Sequence, residues 1–214
     1  MKRIFTNCGL TAAIALLIYT QNAEAQSFIS IVNNLGQTAV GNGQIGSGQF
    51  EAQEFNPGSI SYTLTSIQAQ VGGLSGTLAM GAELVQDNGN TPAGGNVLTT
   101  FSFSTVGVSF ENNTFIPTTS GVVLNANTDY WFVLNYSAGS GTYDWNYAGV
   151  QTAAGPGSLG HYGTSFDNGS TWVIDNFGPG TPNLLQVNGT VPEPATLSLA
   201  GLGLAALIAA RRRK

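Results

Sequence analysis

The sequence predicts an all-β protein built around a single jelly-roll-like β-sandwich domain. Short runs of β-branched and aromatic residues alternate with clusters of Gly, Asn, Ser and Pro, a pattern typical of sandwiches and barrels. The 29 glycines are spread through the chain as breaks between these runs. Helical periodicity is absent between residues 26 and 190. These three observations favour many short strands joined by turns.

The predicted strands cover residues 28–32, 60–71, 77–86, 97–105, 108–115, 122–125, 130–136, 142–147, 172–174 and 184–187. In the second of them the apolar residues change parity, from Tyr62 and Leu64 to Ile67 and Ala69. Side chains of a strand alternate between its two faces, so this change predicts a β-bulge near Thr65.

Charge is scarce and unevenly distributed. Only 8% of the residues are charged, and residues 26–191 contain no Lys or Arg. All acidic residues except Glu24 and Glu193 lie in that stretch, which gives it a formal charge of −9. Affinity for nucleic acid depends on Lys and Arg, so a nucleic-acid partner is excluded.

The N-terminus predicts a secretory signal peptide over residues 1–25. Lys2 and Arg3 precede an apolar run at residues 9–19, and Ala23 and Ala25 form an A-x-A cleavage site. Export by the Sec machinery would leave residues 26–190 as the exported domain. An uncut membrane anchor is the alternative, but the apolar run is short for a membrane span.

The C-terminus predicts a second targeting segment over residues 191–214. Residues 195–210 are uncharged and would form a short transmembrane helix. Four cations follow as a basic stop that should stay cytoplasmic: Arg211, Arg212, Arg213 and Lys214. An ordinary membrane anchor is the alternative.

Pro192, Glu193 and Pro194 lie directly before this helix, and the three parts in this order resemble the PEP-CTERM sorting signal. The resemblance implies an exosortase as partner, removal of the tail, and display on the surface of a bacterium with an outer membrane and an exopolysaccharide programme. The expected route is an inner-membrane-anchored intermediate, then the cell surface or the extracellular matrix.

The middle of the chain resembles the choice-of-anchor R domain over about residues 50–172. The segments that carry this resemblance are SYTLTSIQAQV, SGVVLNANTDYWFVLNYS and SFDNGSTW. It implies a β-sandwich displayed at the surface, without known catalytic residues.

Residues 165–172, SFDNGSTW, fit the Asp-box pattern S-x-D-x-G-x-T-W. The Asp167 carboxylate can accept hydrogen bonds from the turn, which predicts a stapled β-hairpin. A Ca²⁺ site on Asp167 and Asn168 is the weaker alternative. No cofactor is predicted.

Five aromatic residues are candidate contacts for a glycan: Trp131, Tyr143, Trp145, Tyr147 and Trp172. Tyr143, Trp145 and Tyr147 alternate along one strand and therefore share a face. Exposed, they would form a platform for sugar rings; buried, they belong to the core.

Three functions fit the sequence. The favoured one is a non-enzymatic surface or matrix protein associated with exopolysaccharide or biofilm. A carbohydrate-binding module is the alternative, and a glycoside-processing enzyme ranks last. Residues 26–191 contain no Cys, Lys or Arg and one His, so they offer no Cys or Lys nucleophile and no second His for a zinc site.

Overall fold

The computed structural model describes residues 28–175 and 180–192, and Phe28–Val191 forms one compact unit. Several predicted features lie outside the described residues. They are the signal peptide with Ala23 and Ala25, the residues Glu193 and Pro194, the predicted helix at 195–210 and the basic residues 211–214. Within the two described ranges the structure has no helix, so none there could cross a membrane.

Thirteen strands occupy the described residues: β1 (Phe28–Asn33), β2 (Ala39–Gly46), β3 (Phe50–Asn56), β4 (Tyr62–Gly76), β5 (Ala79–Gln86), β6 (Val97–Phe103), β7 (Glu111–Pro117), β8 (Val123–Leu124), β9 (Tyr130–Ala138), β10 (Gly141–Ala148), β11 (Ser158–Ser165), β12 (Val173–Ile174) and β13 (Leu185–Thr190). Each of the ten predicted strands overlaps one of them, which confirms the all-β prediction.

The strands form one continuous antiparallel sheet in the order β1-β13-β4-β7-β6-β5-β9-β3-β11-β12. β8 and β10 also pair with β4, and β2 pairs with β10. β6 pairs with β7 on one side and with β5 on the other, so it joins the two halves. The sheet curls into an open half-barrel, and the predicted jelly-roll-like sandwich is not confirmed.

β4 contains the predicted bulge. Ser66 pairs with Asn188 and Leu64 pairs with Gly189, so Thr65 is an extra residue opposite β13. Tyr62, Leu64, Ile67 and Ala69 are all buried although their numbers change parity. The bulge therefore keeps both halves of this long strand facing the core.

The concave side of the sheet holds the main core, with Phe132 of β9 at its centre. The Phe132 ring makes edge contacts with Phe101, Phe115 and Trp145, at centroid distances of 5.3, 5.2 and 5.7 Å. These partners lie on β6, β7 and β10. One aromatic side chain thus connects four strands from both halves of the sheet.

Strands β2, β3 and β11 were not predicted. β2 and β11 are rich in Gly and polar residues, which strands usually avoid. β3, with the sequence FEAQEFN, has Glu51, Gln53 and Glu54 buried, so no apolar alternation marks it. Their strand character comes from pairing with neighbours and not from local preference.

Glu51 is an acid buried on the inner face of β3. Thr164 Oγ1 of β11 lies 3.1 Å from each carboxyl oxygen and donates to the group. Gly43 of β2 lies over it, where a Cβ would be 2.8 Å from Glu51 Cδ. Burial raises the pKa of Glu51 from 4.5 to about 8, although hydrogen bonds from Thr164 and Gln49 oppose the shift. Glu51 is therefore mostly protonated at neutral pH.

We predict that Glu51→Gln makes the domain more stable than the wild type at pH 9. The raised pKa means that protonation favours the folded state. This stabilisation is complete below about pH 4.5 and is lost as pH rises through 8. One pKa unit corresponds to about 1.4 kcal/mol, so several kcal/mol are at stake. Chemical denaturation at pH 5, 7 and 9 measures the free energy of unfolding.

Glu111→Gln is the matched control, because Glu111 is exposed on β7. It should keep the wild-type dependence of stability on pH. If the free energy of unfolding depends on pH in the same way in the wild type and in Glu51→Gln, the burial of an uncharged Glu51 is contradicted.

Candidate ligand-binding cavity

The convex face of the sheet carries a second, smaller apolar cluster. Ala52, Val85, Trp131 and Val133 form it, and Trp172 and Ile174 pack against it. Along β9, Trp131 and Val133 alternate with Tyr130, Phe132 and Leu134, which face the main core. β9 is therefore buried on both faces, and a further element must cover its outer side.

The hairpin at residues 165–172 covers this outer side. Trp172 lies over β11 at Gly163, where a Cβ would be only 3.2 Å from Trp172 Cε3. A side chain at Gly163 would hold the indole away from the sheet. Trp172 Nε1 donates a hydrogen bond to the Gly169 carbonyl at 3.1 Å, which fixes the orientation of the ring.

Asp167 organises the hairpin in the way the Asp-box pattern predicts. Its carboxylate accepts hydrogen bonds from Ser165 Oγ at 2.9 Å, from Thr171 N–H at 2.8 Å and from Thr171 Oγ1 at 2.7 Å. The bonds from Thr171 hold the pKa of Asp167 below its usual value. Asn168 and Gly169 complete the turn with positive φ angles of 57° and 83°.

The oxygens of the alternative Ca²⁺ site take part in hydrogen bonds of the hairpin. Both Asp167 oxygens accept hydrogen bonds within the hairpin, and Asn168 Oδ1 accepts one from Gly48 N–H at 3.1 Å. Among residues 28–175 and 180–192, no three His, Cys, Asp or Glu side chains are grouped so that they could hold a metal ion. The carboxylate and the amide thus tie the hairpin to itself and to Gly48, and the Ca²⁺ site stays an untested alternative.

Three of the five candidate glycan contacts are wrong, because they lie inside the protein. Trp131, Tyr143 and Trp145 are each 0% exposed. Trp145 Nε1 donates to the Leu184 carbonyl at 2.9 Å, and Tyr143 Oη donates to the Asn135 carbonyl at 3.1 Å. The alternation along β10 therefore marks a core-facing strand, and no flat platform forms.

Tyr147 and Trp172 are partly exposed. They do not act together, because Tyr147 lies on β10 against Gly41 of β2, whereas Trp172 lies on the convex face beside β11. Trp172 lines a cavity on the convex face.

That cavity has a volume of about 200 Å³ and opens to solvent. Its floor is formed by Glu83 and Val85 of β5 and Val133 of β9. The Asp-box side is formed by Phe50, Asn168, Gly169 and Trp172, and the opposite side by Pro92, Gly94, Gly95 and Val97. The cavity thus lies between the Asp-box hairpin and the loop that joins β5 to β6.

Asp87 fixes the β5–β6 loop in place. Its carboxylate accepts hydrogen bonds from Asn90 N–H at 3.1 Å and from Thr91 N–H at 3.0 Å. The same carboxylate accepts the indole N–H of Trp131 at 2.7 Å. The loop is therefore tied both to itself and to β9, so both walls of the cavity are held by hydrogen-bonded aspartates.

Glu83 supplies an acidic group to the cavity floor. Asn135 Nδ2 donates to its carboxyl oxygen at 3.4 Å. Burial raises the pKa of Glu83 above its usual value, and the hydrogen bond from Asn135 opposes the shift. Among the described residues that line the cavity, Glu83 is the only ionisable one, so an anionic ligand would meet no opposite charge there.

A second polar group lies on the same convex side at His161. Its Nδ1 is 2.6 Å from Asp175 Oδ2. When the imidazole is protonated, these two side chains form an ion pair. The hydrogen bond to Asp175 raises the pKa of His161, although desolvation opposes the shift. Sequence spacing gave no sign of this pair, because strand pairing of β11 with β12 brings the residues together.

We predict that Asp167→Ala opens the hairpin. The substitution removes the acceptors of Ser165 and Thr171, so amide exchange at Thr171 should accelerate and Trp172 fluorescence should shift to longer wavelength as the ring meets water. Phe166→Ala is the matched control, because Phe166 is 60% exposed on the same hairpin and should leave both signals unchanged.

Adding Ca²⁺ or EDTA should leave the melting temperature of the wild type unchanged. A rise in melting temperature with Ca²⁺ that disappears in Asp167→Ala would contradict the structural role assigned to Asp167.

Comparison with known proteins identifies the C-terminal segment. A family model described as the PEP-CTERM protein-sorting motif matches residues 190–214, which include Pro192, Glu193 and Pro194. No curated protein matches the chain. Neither result bears on the choice-of-anchor R resemblance, which stays a prediction.

The matched motif follows directly on β13, the last strand of the compact unit. It implies export, sorting and processing by an exosortase, and a membrane-anchored intermediate before display at the surface. The chain thus carries the sorting signal of an exosortase substrate behind a β-sheet domain.

Proposed function

We propose that this chain is a non-enzymatic protein of the cell surface or extracellular matrix that associates with exopolysaccharide. The observation that carries the proposal is the sorting motif at residues 190–214. The resemblance to PEP-CTERM proteins implies that an exosortase recognises this motif and that the host bacterium also produces exopolysaccharide.

The end of the domain is suited to removal of the tail. β13 ends at Thr190, which is buried, and Val191 and Pro192 are exposed. A cut at residues 192–194 would therefore leave every strand of the sheet intact. Exposure of Pro192 also leaves the start of the motif open to an enzyme.

The surface chemistry of the domain supports a hydrated polysaccharide environment. Residues 26–191 contain no Lys or Arg, so amides, hydroxyls and backbone groups provide most of the polar surface. Such groups can donate hydrogen bonds to sugar hydroxyls and accept them. Net negative charge keeps the domain soluble without drawing it to anionic polymers.

A carbohydrate-binding module is the second candidate, favoured by the partly exposed Trp172 in a cavity with polar groups. A glycoside-processing enzyme is less well supported. Glycosidases generally use a pair of carboxyl groups across the scissile bond. Among the described residues that line the cavity, Glu83 is the single carboxylic acid.

We predict that replacing Pro192, Glu193 and Pro194 together by Ala blocks sorting. The wild type should be recovered from the surface or matrix fraction as a shortened chain. The triple variant should stay in the inner membrane with residues 195–214 attached, because the exosortase would no longer recognise it. Cell fractionation followed by immunoblotting measures both length and location.

Val191→Ala is the matched control, since Val191 is exposed next to the three substituted positions and lies outside the Pro-Glu-Pro triplet. It should be processed as the wild type. Equal shortening and equal surface display of the triple variant would contradict the sorting role, and a wild type that stays in the cytoplasm would contradict export itself.

A further inference from the structure

We propose that the cavity beside Trp172 binds one uncharged pyranose ring of a neutral polysaccharide. The proposal rests on the proposed function, because it names the class of polysaccharide and the place on the domain that contacts it. Four properties of the cavity support the proposal: a fixed aromatic wall, polar groups at its edges, an acidic group that disfavours anionic ligands, and its size.

The aromatic wall is rigid before any ligand arrives. Trp172 is held by the hydrogen bond from its Nε1 to the Gly169 carbonyl and by packing on β11 at Gly163. The hairpin that carries it is held by Asp167. A ring that is already ordered loses little conformational entropy on binding, so most of the contact energy is kept. The C–H face of a pyranose is apolar and suits an indole.

Polar groups lie at the rim and the floor of the same cavity. The Glu83 carboxyl can accept hydrogen bonds from sugar hydroxyls. Asn168 Oδ1 accepts the Gly48 N–H at 3.1 Å, so the amide protons of Asn168 are the group that it can offer to a ligand. Opposite them, Gly94 and Gly95 present backbone without side chains. A ligand with several hydroxyl groups fits this mixture better than a purely apolar one.

Charge selects a neutral ligand. Residues 26–191 contain no Lys or Arg, and the ionisable group in the described cavity lining is Glu83. A uronic acid, sulfate or phosphate would gain no ion pair there and would be repelled by the domain as a whole. Neutral hexose polymers carry no such penalty. The same argument predicts that binding is nearly independent of ionic strength.

Size limits the site to one ring. The cavity volume of about 200 Å³ is smaller than the roughly 300–1,000 Å³ typical of pockets that enclose a drug-sized ligand. Because the cavity opens to solvent, the polymer on either side of the bound ring can continue into solvent. Binding to a single ring should be weak, and several copies of the protein on one polymer would strengthen attachment through multivalency.

The test is affinity electrophoresis in native gels that contain a soluble polysaccharide. The probes are dextran and galactomannan, which are neutral, and alginate, which is anionic. The full chain is kept in a detergent without a sugar headgroup. We expect at least one neutral polymer to retard the wild type and alginate not to do so. Retardation should be unchanged between about 50 and 500 mM NaCl.

Two variants place the site. Trp172→Ala removes the aromatic wall and should weaken retardation by roughly tenfold or more, which corresponds to about 1.4 kcal/mol. Val97→Trp should block the cavity from the opposite wall, since Val97 is 49% exposed and its position is not in the core. Circular dichroism checks that both variants are folded. Phe166→Ala is the matched control, because it removes an exposed aromatic outside the cavity and should bind as the wild type.

Several outcomes would overturn the proposal: no retardation by either neutral polymer, equal retardation by alginate, or wild-type binding in folded Trp172→Ala and Val97→Trp. If the protein is still processed and recovered from the matrix in those cases, the proposed function stands and the site alone is wrong. If the wild-type protein is not found in the surface or matrix fraction, the proposed function is wrong, whatever the result of the electrophoresis.

Discussion

The absence of Lys and Arg from residues 26–191 constrains every acidic residue of the domain. None can pair with Lys or Arg, so each carboxyl needs another way to be stabilised. Asp87 and Asp167 accept hydrogen bonds from backbone N–H groups, hydroxyls and an indole, and each fixes a loop in doing so. Glu51 takes the opposite course, since burial raises its pKa to about 8 and keeps it mostly uncharged. Acidic side chains that form salt bridges in other proteins here stabilise turns, as Asp87 and Asp167 do, or pack in the core, as Glu51 does.

The same constraint shapes the candidate site and connects it with the sorting signal. The two aspartate-organised loops form opposite walls of the cavity, and the Trp172 ring is held between one of them and the sheet. An acidic domain without Lys or Arg should avoid anionic polymers and nucleic acid, whereas neutral sugars remain accessible. The proposed association with exopolysaccharide and the proposed binding of a neutral sugar ring are therefore both consistent with this composition. The Lys and Arg residues of the chain lie in residues 1–25 and 211–214, the two segments that the sequence predicts to act in targeting.

Sequence reasoning predicted the all-β class, the bulge at Thr65 and the stapled hairpin, because each leaves a local pattern: turn residues, a parity change, or S-x-D-x-G-x-T-W. It missed β3, whose buried Glu51 and Glu54 break the apolar alternation. It also could not tell whether the aromatics of β10 face water or the core, because alternation is the same in both cases. The cavity could not be predicted from the sequence for another reason. Its walls come from segments more than seventy residues apart, which the pairing of β5, β9 and β3 brings together.

The most direct test of an exported and trimmed protein is its intact mass, measured on material from the outer surface of the native host before and after trypsin. We expect a chain that starts at Gln26 and ends near Pro192–Pro194. Trypsin cuts after Lys and Arg, and this chain contains neither, so its mass should not change. A mass that still includes residues 195–214, and that falls when trypsin removes residues 212–214, would contradict removal of the tail and make it an ordinary membrane anchor.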